Sequence, residues 1–111
     1  MSLHPELAAG RWWTLSLCEQ FANVGSEVDR AIHASQEGRS ERCAKAIDRA
    51  LDLFDLTAQD ERWRGHRRRE ILRAREEFVR LFFGDFPDPA AAQATQRYFF
   101  AFAKMQRAGG A

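Results

Sequence analysis

Three observations predict an all-α fold for this chain, an up-down-up-down antiparallel four-helix bundle whose first helix is long. Four segments carry apolar residues at alternating spacings of three and four, the seam of a packed helix. The break at Gly38-Arg39-Ser40 is short enough to reverse the chain directly, which makes neighbouring helices antiparallel. No useful stretch alternates with period two, so no sheet is expected. A length of 111 residues suits one domain, 1–111, able to bury a core without disulfide staples.

The first helix is expected over about 11–37, entered at Arg11 or as early as Pro5. Its stripe is Leu17, Phe21, Val24, Val28, Ala31, Ile32 and Ser35. The phase persists through Asn23 and Gly25, so one continuous helix is expected. Glycine costs about 1 kcal/mol relative to alanine in a helix interior. Gly25 is therefore read as the close approach of a neighbouring helix, with a hinge as the alternative.

Gly38 suits the position just past a helix end, and Ser40 suits an N-cap. The second helix, about 41–58, carries Cys43, Ala46, Ile47, Ala50, Leu51 and Phe54 on its apolar stripe. The third, about 65–83, begins between Asp60 and His66 and stops at Gly84. Its apolar positions are Ile71, Leu72, Phe78, Val79, Phe82 and Phe83. The pair Asp88-Pro89 opens the fourth helix, about 89–107: a carboxylate caps it, and proline takes the first helical position. Ala91, Thr95, Tyr98, Phe99, Phe102 and Met105 lie on it, and residues 108–111 form a tail.

Composition excludes several functions. The longest wholly apolar run, residues 98–103, is far below the roughly 20 residues that span a bilayer. Residues 12–18 are too polar for a signal sequence and lack a cleavage site, so the cytoplasm of a bacterium is the expected location. Cys18 and Cys43 are then buried thiols, not a disulfide. A net charge of +1 removes the bulk electrostatic case for nucleic acid. All but Lys45 and Lys104 of the 17 basic residues are arginine, a bias that a GC-rich genome also produces.

Arginine position says more. Arg62, Arg64, Arg67, Arg68 and Arg69, with His66 among them, crowd the start of the third helix, where the helix dipole disfavours cations. Something anionic should offset them. One candidate is internal: Asp48, Asp52 and Asp55 near the end of the second helix, joined by Asp60 and Glu61. The other is external, a phosphate, an RNA backbone or a charged partner surface. Arg75 shares a stripe with Ile71, Phe78 and Phe82, so it either snorkels or meets a buried carboxylate. Glu76–Arg80 and Arg73–Glu77 read as i,i+4 pairs on a solvated face. Trp63 either closes the end of the bundle or stacks on a base.

Catalytic and metal chemistry find little support. Asp29, His33 and Glu37 share one face of the first helix, but the di-iron bundle signature Glu-x-x-His is absent. The serines lack an elbow-type glycine context, and no glycine-rich phosphate loop occurs. No catalytic residue, metal ligand or cofactor is expected. The aromatic surplus points elsewhere. Tyr98, Phe99, Phe100 and Phe102 cover three faces of one helix and, with Trp12 and Trp13, are expected to form an apolar patch that makes a homodimer.

The residues Ala50-Leu51-Asp52-Leu53-Phe54-Asp55-Leu56-Thr57, then Arg62-Trp63-Arg64-Gly65, Arg69-Glu70, Arg73 and Phe82-Phe83-Gly84-Asp85, resemble a pattern in small uncharacterised bacterial all-helical proteins. The resemblance implies a compact helical bundle and carries no activity. A looser similarity, at the level of fold, is to HEPN domains, some of which are ribonucleases. Those members have four to six residues between an arginine and a following histidine. Arg62 and His66 have only three residues between them, so the nuclease motif does not carry over. The expected function is a non-enzymatic, self-associating interaction module, with a protein partner possible. The alternative is an RNA- or nucleotide-binding accessory protein using Arg62, Trp63, Arg64, Arg67, Arg68 and Arg69.

Overall fold

The computed structural model describes residues 10–83 and 88–107, and its regular elements are all helical. They are α1 (Leu17–Gln36), α2 (Ser40–Ala58), a 3-10 turn (Glu61–Trp63), α3 (His66–Phe83) and α4 (Pro89–Arg107). Gly84 and the tail 108–111 lie outside the described residues.

The first helix starts later than the expected Arg11, although its apolar stripe from Leu17 to Ser35 lies wholly within it. Residues 10–12 are helical, the chain turns at 13 and 14, and α1 starts afresh at Leu17. A capping box makes the break. The Glu19 N–H donates to Ser16 Oγ at 3.1 Å, and the Ser16 N–H donates to Glu19 Oε1 at 2.8 Å. Trp12, in the separate segment ahead of the break, packs onto the same core.

α1 ends as Gly38 suggested. At φ +72° the glycine turns the chain, its N–H reaches the Ser35 carbonyl, and the Arg39 N–H reaches the Ala34 carbonyl at 2.8 Å. Ser40 is not the N-cap of α2. It is already helical, and Arg39 precedes it without a side-chain cap bond. The turn leaves no room for a serine outside the helix, because the Cys43 N–H already bonds the Arg39 carbonyl. At α4 the Asp88-Pro89 signal holds, with the Ala90 N–H donating to Asp88 Oδ1 at 3.0 Å.

The core is one cluster in which α1 contributes Phe21, Val24, Val28, Ala31 and Ile32. Facing them are Cys43, Ala46, Ile47, Ala50 and Phe54 from α2, with Ile71 and Phe78 from α3 and Phe99 from α4. α1 packs extensively on both α2 and α4. α3 packs on α2 and, more sparsely, on α4. Gly25 is a site of close approach within a continuous helix. A Cβ added there would stand 2.7 Å from Phe99 Cβ.

Two sets of apolar residues lie elsewhere than expected. On α3, Leu72 and Phe83 are exposed rather than on a buried stripe, because that helix buries only the face bearing Ile71 and Phe78. The dimerising patch also needs correction. Trp12 (8% exposed) and Phe99 (4% exposed) belong to the core, and Phe102 packs partly buried against it. Phe21 gathers these rings, meeting Phe99 at 5.5 Å and Phe102 at 5.0 Å between centroids. Tyr98 and Trp13 stand at the boundary, while Phe100 and Met105 are exposed. No helix among the described residues is long and apolar enough to cross a membrane.

Candidate functional site

The arginine-rich connection between α2 and α3 builds a polar clasp at one end of the helices. Its centre is Asp60, which is 3% exposed. The Arg62 guanidinium donates to both carboxylate oxygens, Nε to Oδ1 at 3.0 Å and Nη2 to Oδ2 at 2.7 Å. The Arg62 N–H also donates to Oδ1, and Gln20 Nε2 donates to Oδ2, each at 3.0 Å. Fully buried Gln20 is saturated: its amide also donates to the Trp12 carbonyl and accepts from Trp63 Nε1, both at 2.8 Å. Buried Thr57 completes the set, accepting from Trp12 Nε1 at 2.9 Å and donating to the Leu53 carbonyl.

The clasp ties four parts of the chain together: the segment before α1, α1 itself, the end of α2 and the 3-10 turn. Burial pushes the Asp60 carboxyl up. The bonds from the Arg62 side chain and backbone, and from Gln20, outweigh it and hold the group below the usual carboxylate range. Four hydrogen bonds, two to each oxygen, occupy the lone pairs of the buried carboxylate. The arrangement is built for rigidity.

Each arginine of the cluster therefore has its own setting. Arg62 belongs to the clasp and lies over the Trp63 ring at 4.4 Å. Arg64 is exposed and pairs loosely with Glu61 at 3.5 Å. Arg67 is exposed, with its guanidinium 5.9 Å from the Trp63 ring centre. Arg68 is half-buried, donates to the Asp60 carbonyl at 3.4 Å, and has its Nε buried without a partner. Arg69 faces solvent without an ion-pair partner among the described residues.

The internal offset differs in its members from the expectation. Asp60 and Glu61 take arginines of the cluster, whereas Asp55 pairs with Arg75 at 3.0 Å, a partly exposed link between α2 and α3. Asp48 and Asp52 pair with none of the cluster arginines, and Asp52 Oδ2 is buried without a hydrogen-bond partner. Burial first, then the charges of Asp55 and Asp48, push the Asp52 carboxyl up. Trp63 closes the end of the helices, half-buried against the core with its indole nitrogen bonded.

The remaining sequence candidates are quickly placed. Asp29 receives Gln96 Nε2 at 2.9 Å, His33 Nδ1 stands 3.6 Å from Asp29, and Glu37 pairs with Arg39. No group of three or more His, Cys, Asp or Glu among the described residues is placed to hold a metal ion. Both cysteines are free and buried. Arg73–Glu77 and Arg80–Glu76 are i,i+4 pairs at 3.7 and 3.9 Å on an exposed face.

Sequence reasoning missed the larger feature, a groove of about 680 Å³ between α3 and α4. Alanines make it. Ala74 on α3 faces a wall of α4 that contributes Ala91 and Ala94, side chains too short to close the gap. Leu81, Tyr98 and Phe99 supply its larger apolar surface, and Glu70, Arg73, Glu77 and Arg80 rim it from α3. Burial, and then the nearby charges of Glu70 and Glu77, push the Tyr98 hydroxyl up to about 12, so at neutral pH it keeps its proton. The available sequence signal was the run of small residues on α4 opposite Ala74, which periodicity alone scores as ordinary core.

No family model matches the chain, and no curated protein or solved structure is significantly similar to it.

Proposed function

We propose that the chain is a non-catalytic interaction module that associates with itself, built as an up-down-up-down four-helix bundle. The supporting observation is the alanine-floored groove between α3 and α4. A gap of that size between two neighbouring helices leaves apolar wall in contact with water, which association would cover. Exposed Phe100 and Met105 extend the apolar surface of α4. The bundle topology is supported by the order of packing, in which each helix touches the next and α4 returns to α1.

Sedimentation velocity over protein concentrations from about 1 to about 100 μM tests the proposal. A dimer boundary that grows with concentration supports it. A monomer across the whole range rejects it.

A second reading, binding of an RNA backbone, is favoured by exposed Arg64, Arg67 and Arg69 on one short stretch. It would have to proceed without Trp63 as a stacking platform, since Arg62 already covers that ring. Binding to single-stranded RNA that weakens steeply with salt, and is lost in Arg67→Glu/Arg69→Glu, is its expected signature.

A further inference from the structure

Building on the self-association reading, we propose that the partner on this face is a second copy of the chain, joined through α3 packed antiparallel on α3 about a twofold axis beside Arg75. The charge order of α3 carries the inference. Glu70, Arg73, Glu77 and Arg80 all rim the same groove, and all four are exposed. Glu70 and Arg80 lie five residues to either side of Arg75, and Arg73 and Glu77 lie two to either side. A twofold rotation that reverses the helix direction therefore sets each Glu70 opposite the second copy's Arg80. It likewise sets each Arg73 opposite the second copy's Glu77.

The parallel arrangement and the neighbouring antiparallel registers fail the same test. Parallel α3 helices place every charge opposite its own copy. Sliding the antiparallel pair by about one helical turn in one direction sets Glu77 against Glu77. Sliding it the other way sets Glu70 against Glu77, with Arg67 against Arg80. Like charges in contact across an interface are strongly disfavoured, and the register centred beside Arg75 is the one that sets all four of these residues opposite a charge of the other sign.

Two further observations agree. Ala74, near the axis, places only a methyl group between the helices, which permits interaxial distances near the short end of about 8 to 10 Å. The existing pairs on this face are loose. Arg73 meets Glu77 at 3.7 Å with both side chains more than half exposed, and Glu70 has no ion-pair partner among the described residues. Exchange of these contacts for ones between copies sacrifices little.

Charge reversal tests the register. The dimer dissociation constant is measured by sedimentation equilibrium for the wild-type chain, Glu70→Arg, Arg80→Glu and the double variant Glu70→Arg/Arg80→Glu. Each single reversal places two like-charge contacts in the dimer and is expected to weaken it at least about tenfold. The double variant restores opposite charges at both contacts and is expected to recover wild-type affinity within about threefold. Since all the altered side chains are exposed, recovery in the double variant also excludes misfolding as the cause of the single-variant loss.

A dimer indifferent to the single reversals overturns the α3 interface and leaves self-association standing. So does a double variant as weak as the singles. A wild-type chain that stays monomeric overturns both.

Discussion

Gly25 on α1 and Phe99 on α4 are in backbone-level contact: a methyl group on the glycine would stand 2.7 Å from Phe99 Cβ. The obstructing atom is attached directly to the α4 backbone, so rotation about χ1 does not clear it. Helix propensity favours alanine over glycine at an interior position by about 1 kcal/mol. The clash works against it, because overpacking of this kind typically costs about 1 to 3 kcal/mol. Gly25→Ala is therefore expected to destabilise the chain, by about 1 to 2 kcal/mol in urea unfolding. A more stable alanine variant would show that α4 is free to move away.

The clasp should dominate the stability of its end of the molecule. Asp60→Ala removes the carboxylate from Arg62 and one of the three bonds of Gln20, leaving one amide N–H of the buried Gln20 without a partner. Loss of one side of a buried charged network costs about 3 to 5 kcal/mol, and the partial exposure of Arg62 reduces this to about 2 to 3 kcal/mol. Thermal unfolding followed by circular dichroism measures the loss. An unchanged midpoint would contradict a structural role for the clasp.

The same carboxyl gives a pH signature. Its folded pKa lies below its unfolded value, so it contributes stability that is fully present above the unfolded pKa. That stability is lost as pH falls through the acid carboxylate range toward the folded pKa. Wild-type unfolding free energy should drop through this range more steeply than that of Asp60→Asn. Equal slopes in urea titrations at stepped pH would remove Asp60 as the source.

Neighbouring aromatics on α4 should behave oppositely. Phe99 is 4% exposed against Phe21 and Phe54, whereas Phe100 is 56% exposed. Phe99→Ala is expected to cost about 3 to 5 kcal/mol. Phe100→Ser should stay within about 0.5 kcal/mol. Phe99→Glu would unfold the core and so cannot report on a surface. Comparable losses at the two positions would mean that α4 is rotated from the orientation described.

Burial also pushes the Cys43 thiol up, and its Sγ lies 3.4 Å from the Ala31 carbonyl oxygen. A protonated, enclosed thiol reacts slowly. Modification by a thiol-specific disulfide reagent should be at least about tenfold slower at Cys43 in the native chain than in denaturant, followed site by site by mass spectrometry. Equal rates would place the thiol in solvent.

By itself the sequence determined what local chemistry can determine. The helical period, glycine at positive φ after α1, and aspartate-proline at the start of α4 act within a few residues, so every helix boundary but the start of the first was legible to within a turn. The Ser16–Glu19 capping box was equally local, and a serine three residues ahead of a glutamate is the signal that could have found it. Cys18 and Cys43, read as buried thiols, and the interior glycine, read as a close approach, are placed as expected. The tertiary structure alone decided which members of each stripe face a partner helix. Leu72 and Phe99 carry the same apolar signal, yet one is exposed and the other closes on Gly25. It also decided the clasp, which joins Trp12, Gln20, Thr57 and Asp60 across up to 48 residues of chain (Trp12 to Asp60) through bonds that no local pattern announces. The groove belongs with these. Alanine stabilises a helix wherever it stands, and whether it fills a seam or leaves a space depends on how far away the next helix lies.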